Sequence, residues 1–216
     1  MIGFRTLPAL VLLSMLAASA LSIAQNAILR KAAASAVSAV LLSGASYFSV
    51  SQAVHAESSP SSVVGSVYSD SRYQFDLKYP NNFVSFDGAL SSDRNLVAFV
   101  DPNDKDASVS VVVTAIPADF TKLNSFGGGK ENIRQYVLPT GEGIETGLID
   151  ESVKGENYFL EYTIKSADAY RHVFTIFALR PAEAVVGVTV QCNENKFPTY
   201  KSALFDTVKQ SFHMDL

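Results

Sequence analysis

R-Y-Q-F-D-L-K-Y-P, Arg72 to Pro80, sets Tyr73, Phe75, Leu77 and Tyr79 against Arg72, Gln74, Asp76 and Lys78. This is the period-two alternation of a strand with one buried and one wet face. Pro80-Asn81-Asn82 ends it, because proline lacks a backbone donor and asparagine suits turns. Downstream, Leu96 to Val100 and Ser108 to Ile116 are apolar and β-branched, with Asp101-Pro102-Asn103-Asp104-Lys105-Asp106 between them, the reading of a hairpin. Gly127-Gly128-Gly129 then leads into Lys130 to Leu138, where Ile133, Val137 and Leu138 recur at helical spacing before Pro139. Gly147 to Ser152, Asn157 to Lys165, Ala169 to Leu179 and Ala184 to Cys192 each suit a strand, separated by Gly155-Glu156, Ser166-Ala167-Asp168 and Pro181-Ala182-Glu183. Phe197 to Phe212 carries Tyr200, Leu204, Val208 and Phe212 four residues apart, the apolar stripe of a helix lying across the sheet. Strand runs with a few helices added predict an α+β fold built on a mainly antiparallel sheet.

Upstream the composition changes. Glu57 to Ser71 is Ser-rich with one proline, too polar to bury much surface, and predicts a mobile arm with order beginning near Arg72. Residues 1–56 read as addresses. Arg5 precedes the apolar run Leu7 to Ala20, which ends in small residues, and Arg30-Lys31 precede a second run, Ala32 to Val50, closed by Val54-His55-Ala56. Cation, apolar stretch and small residues, twice in series, is the order of export signals, with processing expected before Glu57. Both runs are short or Ser-interrupted and make poor permanent spans.

Charge follows the same division. Of the 17 Lys and Arg, Arg5, Arg30 and Lys31 precede position 57, whereas all 21 Asp and Glu follow it, so residues 57–216 carry a net charge of about −7. Nucleic acid is excluded as a partner, since binding phosphates needs clustered cations. Cys192 is the only cysteine, which excludes an internal disulfide and a multi-thiolate metal site and reads as a buried strand thiol.

Known catalytic motifs fail on inspection. Gly127-Gly128-Gly129-Lys130 is followed by Glu131, and Asn124 stands where a phosphate loop needs glycine. The Asp101, Asn103, Asp104, Asp106 loop offers hard oxygens, but an EF-hand needs Gly at its sixth position and Glu at its twelfth, where Asp106 and Val112 stand; it reads as a solvated hairpin tip. There is no Gly-x-Ser-x-Gly elbow, and His213 sits at a terminus. Without a catalytic constellation the expectation is a protein that is not an enzyme.

Taken in order, Y-Q-F-D-L-K-Y-P-N-N-F (Tyr73 to Phe83), N-Y-F-L-E-Y-T-I (Asn157 to Ile164), R-H-V-F-T-I-F-A-L (Arg171 to Leu179), V-T-V-Q-C (Val188 to Cys192) and the closing Y-K-S-A-L-F-D-T-V-K-Q-S-F (Tyr200 to Phe212) resemble the PsbP family in sequence and spacing. The resemblance covers residues 72–216, leaving 57–71 as arm and 1–56 as a cleaved plastid and thylakoid-lumen leader. It implies a sheet of about six strands sandwiched between helices and residence in the thylakoid lumen, peripheral on the lumenal membrane face. It further implies a non-catalytic role on lumenal subunits of photosystem II, stabilising the oxygen-evolving complex and its calcium and chloride. An assembly or maintenance factor for photosystem II, photosystem I or a related complex is the alternative within the family; a stand-alone binder of metal or small ligand is the alternative outside it.

The resemblance also directs attention to His172, which falls where some plant members carry a strand histidine linked to divalent metal. With Asp168, four residues earlier across a turn, it is the candidate metal pair, for calcium or another divalent ion; no tightly bound cofactor is expected. Lys78, Asn81, Asn82, Lys122 and Lys130 are the candidate partner contacts, together with the arm.

Overall fold

The computed structural model describes residues 65–91, 93–126 and 130–215. The expected leader, residues 57–64 of the expected arm and Gly127 to Gly129 lie outside the described residues.

Among the described residues ten strands and three short helices follow one another. The strands are β1 (Gly65–Asp70), β2 (Phe75–Pro80), β3 (Val84–Ser91), β4 (Arg94–Asp101), β5 (Asp104–Ala115), β6 (Glu145–Lys154), β7 (Asn157–Lys165), β8 (Tyr170–Arg180), β9 (Ala184–Asn193) and β10 (His213–Met214). A 3₁₀ turn (Leu123–Phe126) and α1 (Lys130–Val137) lie between β5 and β6. After β9 the chain turns through Glu194–Lys196 into α2 (Phe197–Tyr200), a π-helical turn (Lys201–Asp206) and α3 (Thr207–Ser211).

The main sheet has the order β3-β4-β5-β9-β8-β7-β6, every neighbouring pair antiparallel. Two meanders, β3-β4-β5 and β6-β7-β8-β9, join where β5 pairs with β9, so the segment carrying α1 is the one long crossing between them. The β6–β7 connection is a two-residue turn whose first residue, Gly155, takes φ +59°. That region is open to glycine and suits the right-handed twist of a tight hairpin.

Strand alternation divides the core between the two faces of this sheet. Phe174, Ile176 and Ala178 of β8, Val186, Val188, Val190 and Cys192 of β9 and Val109, Val111 and Val113 of β5 form one cluster with Phe75, Leu77, Leu204, Phe205, Val208 and Met214. Tyr158, Leu160 and Tyr162 of β7 and Val173, Phe177 and Leu179 of β8 form the other with Leu123, Phe126, Ile133 and Val137. β8 is therefore buried continuously from His172 to Leu179, which is why R-H-V-F-T-I-F-A-L shows no polar alternation.

Three expectations need correction. The sheet has seven strands, and a second sheet, β1-β2-β10, covers one of its faces beside the C-terminal helical segment. Helices alone do not enclose it, since Tyr73, Phe75 and Leu77 supply much of that layer. Order begins earlier than Arg72: Gly65–Asp70 of the expected arm pairs along its whole length with β2, and Tyr68 meets Phe75 and Phe99 at ring-centroid distances of 5.9 and 5.5 Å. Val84 to Ser91, which the sequence reading assigned to no element, is edge strand β3; its outward residues leave most of it exposed, so no apolar alternation marked it. The expected helix at Phe197 to Phe212 is present as α2 and α3 with a π turn between them, and Leu204 and Val208 are fully buried as the stripe requires.

Candidate functional site

The interior polar centre of the domain lies where β7, β8 and the end of β9 meet the C-terminal helical segment. His172, the third residue of β8, lies opposite Thr163 of β7 and Cys192 of β9, and only 3% of its side chain is exposed. Its imidazole lies flat on the Phe197 ring, with centroids 3.5 Å apart and planes within 7°, and meets the edge of Phe205 at 5.2 Å. Both ring nitrogens face carboxylates: Nε2 is 3.0 Å from Glu161 Oε1 and Nδ1 is 2.9 Å from Glu194 Oε2.

Ionised carboxylates only accept hydrogen bonds, so both contacts are made in full when the ring carries protons on both nitrogens. The array continues outward. Lys209 of α3 places Nζ 3.6 Å from Glu161 and 3.9 Å from Asp150 of β6, and lies 5.2 Å over the Phe174 ring. Acidic and basic groups thus alternate from Asp150 through Lys209, Glu161 and His172 to Glu194, tying three strands and the β9 exit to the C-terminal segment. Cys192, beside His172, is fully buried; burial pushes its thiol up to about 12, assisted by the charges of Glu194, Asp104 and Asp106.

A second polar cluster pins the β4–β5 hairpin to the same segment. The Tyr200 hydroxyl lies 2.9 Å from Asp101 Oδ2 and 3.2 Å from Asp104 Oδ2, so its one proton is shared between them. Lys196 Nζ donates to Asp104 Oδ2 at 2.9 Å, and Arg171 donates to Asp106 at 3.3 Å. The backbone N–H groups of Asn103 and Asp106 donate to Asp101 and Asp104. Burial raises the Asp104 carboxyl, but the Lys196 and backbone hydrogen bonds, the Lys196 charge and Tyr200 outweigh it and hold the group below its ordinary value. The hairpin is as expected, with Pro102, Asn103 and Lys105 exposed at its tip, while Asp101 at its base is 7% exposed and held to α2 by Tyr200.

The expected metal pair is not assembled. Asp168 is exposed on the β7–β8 turn, whereas the carboxylates beside His172 are Glu161 and Glu194. In this arrangement both imidazole nitrogens are turned to carboxylates. No group of three or more His, Cys, Asp and Glu side chains is placed to hold a metal among the described residues. Glu161 was legible in principle: alternation along β7 puts it on the face opposite Tyr158, Leu160 and Tyr162, beside the register partner of His172. Glu194 follows a strand end and carried no periodic signal.

Of the expected partner contacts, Lys78, Asn81, Asn82 and Lys122 are exposed. They do not form one patch. Lys78 lies on β2 and the two asparagines just beyond it, in the small-sheet layer, while Lys122 precedes the 3₁₀ turn on the opposite face. Lys130 is the first residue of α1; its side chain lies outside what is described.

The domain is thus an antiparallel sheet roofed by a small sheet and a broken C-terminal helix, with Thr114 Oγ1 and Asn157 Oδ1 left as buried oxygens without a hydrogen-bond partner. The PsbP family profile matches residues 65–214, and the chain belongs to the PsbP family. It is similar to CyanoP of Synechocystis sp. (strain ATCC 27184 / PCC 6803 / Kazusa), with 27% identity over 156 residues, 68% of this chain and 81% of that protein. It is also similar to PsbP domain-containing protein 3, chloroplastic, of Arabidopsis thaliana, with 23% identity over 155 residues, 66% of this chain and 62% of that protein. The solution structure of CyanoP superposes with a TM-score of 0.53 at 23% identity, covering 74% of this chain and 99% of that one. That likeness supports the mainly antiparallel fold.

Proposed function

We propose that this chain is a non-catalytic extrinsic protein of the chloroplast thylakoid lumen. It sits peripherally on the lumenal membrane face and docks on lumenal subunits of photosystem II, where it supports the oxygen-evolving complex and its retention of calcium and chloride. The observation that carries this reading is family membership across residues 65–214. Two features agree with it. The ion pairs and carboxylates of the interior are committed to one another, and among the described residues no helix is long and apolar enough to cross a membrane. Lys78, Asn81, Asn82 and Lys122 are the proposed polar contacts with the complex.

The similarity to a PsbP domain-containing protein, close in identity to the CyanoP match, favours a second reading, an assembly or maintenance factor for photosystem II, photosystem I or a related complex. Thylakoids separated on a native gel before and after a high-salt wash distinguish the two. A docked subunit co-migrates with active photosystem II, and salt releases it because surface charges hold it, with loss of calcium-dependent oxygen evolution. An assembly factor migrates only with immature complexes. Migration with neither overturns both readings.

A further inference from the structure

β6 ends the main sheet, pairing through one edge with β7, and no described strand covers its other edge. Its burial does not alternate as that of a finished edge does. Leu148, Ile149 and Val153 are 40, 53 and 46% exposed, and Ile144, just before the strand, is 38% exposed. These are four of the seven exposed large apolar side chains among the described residues. A break in register between Leu148 and Asp150 exposes Leu148 and Ile149 together. Beside Val153 a cavity of about 330 Å³ opens between the β6–β7 turn and α1, lined by Leu123, Ile133 and Tyr158 with Lys122 and Glu156.

An apolar edge strand is a template for pairing with another chain, and proteins usually blunt it with mixed charges, proline or a covering element. Here the charge is predominantly acidic. Residues 141–156 contain Glu142, Glu145, Asp150, Glu151 and Glu156 against Lys154 alone. Lys165 and Lys209 approach Glu145 and Asp150 from the inner side, yet those carboxylate side chains stay 77% and 59% exposed. A second copy fits this edge badly, because like-charged rows would face each other across the new ladder. Residues 57–64 of the chain, E-S-S-P-S-S-V-V, carry no cation and include a proline.

We propose that the outer edge of β6 is a docking strand for an extended segment of a partner protein in which apolar residues alternate with Lys or Arg. The partner backbone adds an eighth strand to the sheet, as in other recognition by strand addition. Its apolar side chains cover Leu148, Ile149 and Val153, one of them entering the cavity, and its cations meet Glu145 and Asp150. This goes beyond the proposed role and stands whichever complex the protein serves.

Hydrogen exchange of the full chain, read by mass spectrometry, tests this with two capped probe peptides, Lys-Val-Lys-Val-Lys-Val and Glu-Val-Glu-Val-Glu-Val. The basic peptide at saturation slows exchange across residues 145–153 by about ten-fold, and the acidic peptide does not, because strand addition closes otherwise open amides. The double variant Glu145→Lys/Asp150→Lys reverses that preference, and the milder Glu145→Gln, outside the His172 array, weakens the protection by the basic peptide without changing exchange in β8 and β9. Protection of β6 by neither peptide, or by both equally, overturns the proposal. So does protection confined to other strands. Slowing of β6 exchange with protein concentration alone, the mark of a second copy, overturns it as well.

Discussion

The Glu161–His172–Glu194 array and the outer edge of β6 lie within two strands of each other in one sheet, yet they resolve opposite problems. In the array, polar and ionisable groups have been drawn inward and each has found a partner: His172 is 3% exposed between two carboxylates and a stacked phenyl ring. At the edge, apolar groups have been left exposed, outside both core clusters of the described residues. An interior that satisfies itself is built to hold a shape, and an edge that does not is built to be covered. The first should therefore respond strongly to substitution in the isolated protein, and the second hardly at all.

The largest expected effect tests the array. His172→Leu removes both imidazole hydrogen bonds to Glu161 and Glu194, and at about 1.5 kcal/mol for each lost hydrogen bond to a charged group the expected loss is about 3 kcal/mol. Urea melts should show that loss, and the triple variant His172→Leu/Glu161→Leu/Glu194→Gln should recover most of it, because no uncompensated carboxylate then faces inward. A loss below about 0.5 kcal/mol, the range of ordinary surface substitutions, would mean the array is solvent-relaxed and the comparison fails. An intermediate effect belongs to the docked hairpin. Tyr200→Phe removes the donor shared by Asp101 and Asp104, and a lost hydrogen bond to a charged group costs about 1.5 kcal/mol.

Two pH dependences sharpen the contrast, and their signs differ. The folded-state value of Asp104 lies below the ordinary 3.8. The stability it contributes is complete above that value and is lost as pH falls through the lower folded value. Asp104→Asn should flatten the acid side of the stability profile. Cys192 moves the other way, from 9.0 to about 12 through burial. Its contribution is complete below pH 9 and is lost as pH rises toward 12. Native protein at pH 9 should accordingly be inert to a thiol reagent that reacts at once after unfolding, and prompt labelling would show that the strand bearing His172's neighbour opens locally.

What was legible in the sequence follows from the same physics. The strands around His172 announced themselves because their burial is continuous or alternating: Phe174, Ile176 and Ala178 face one layer, and Val173, Phe177 and Leu179 the other. β1 and β3 did not, since Ser66, Ser69, Ser85 and Asp87 dilute the pattern and the strands are held by pairing to β2 and β4 more than by burial. His172 was visible as a residue of interest, but its partners were not. Sequence proximity pointed to Asp168, whereas strand register brought up Glu161 from β7 and the chain exit from β9 brought up Glu194. Long-range register is what a local reading of turns and periods lacks.

The smallest expected effect is at β6, and its smallness is the argument. Ile149 is 53% exposed beside a register break, so little of its side chain leaves water on folding, and hydrophobic stabilisation scales with the area removed from water. Ile149→Thr keeps the β-branched shape that suits a strand and should change stability by less than about 0.5 kcal/mol, within the range of ordinary surface substitutions. Parallel urea melts of this variant and of His172→Leu make the comparison direct. If Ile149→Thr costs as much as His172→Leu, then Ile149 is covered by the chain itself in solution and the edge is not free. If it costs nothing while weakening capture of the basic Lys-Val peptide, the apolar residues along β6 are there for a surface that arrives from outside the fold.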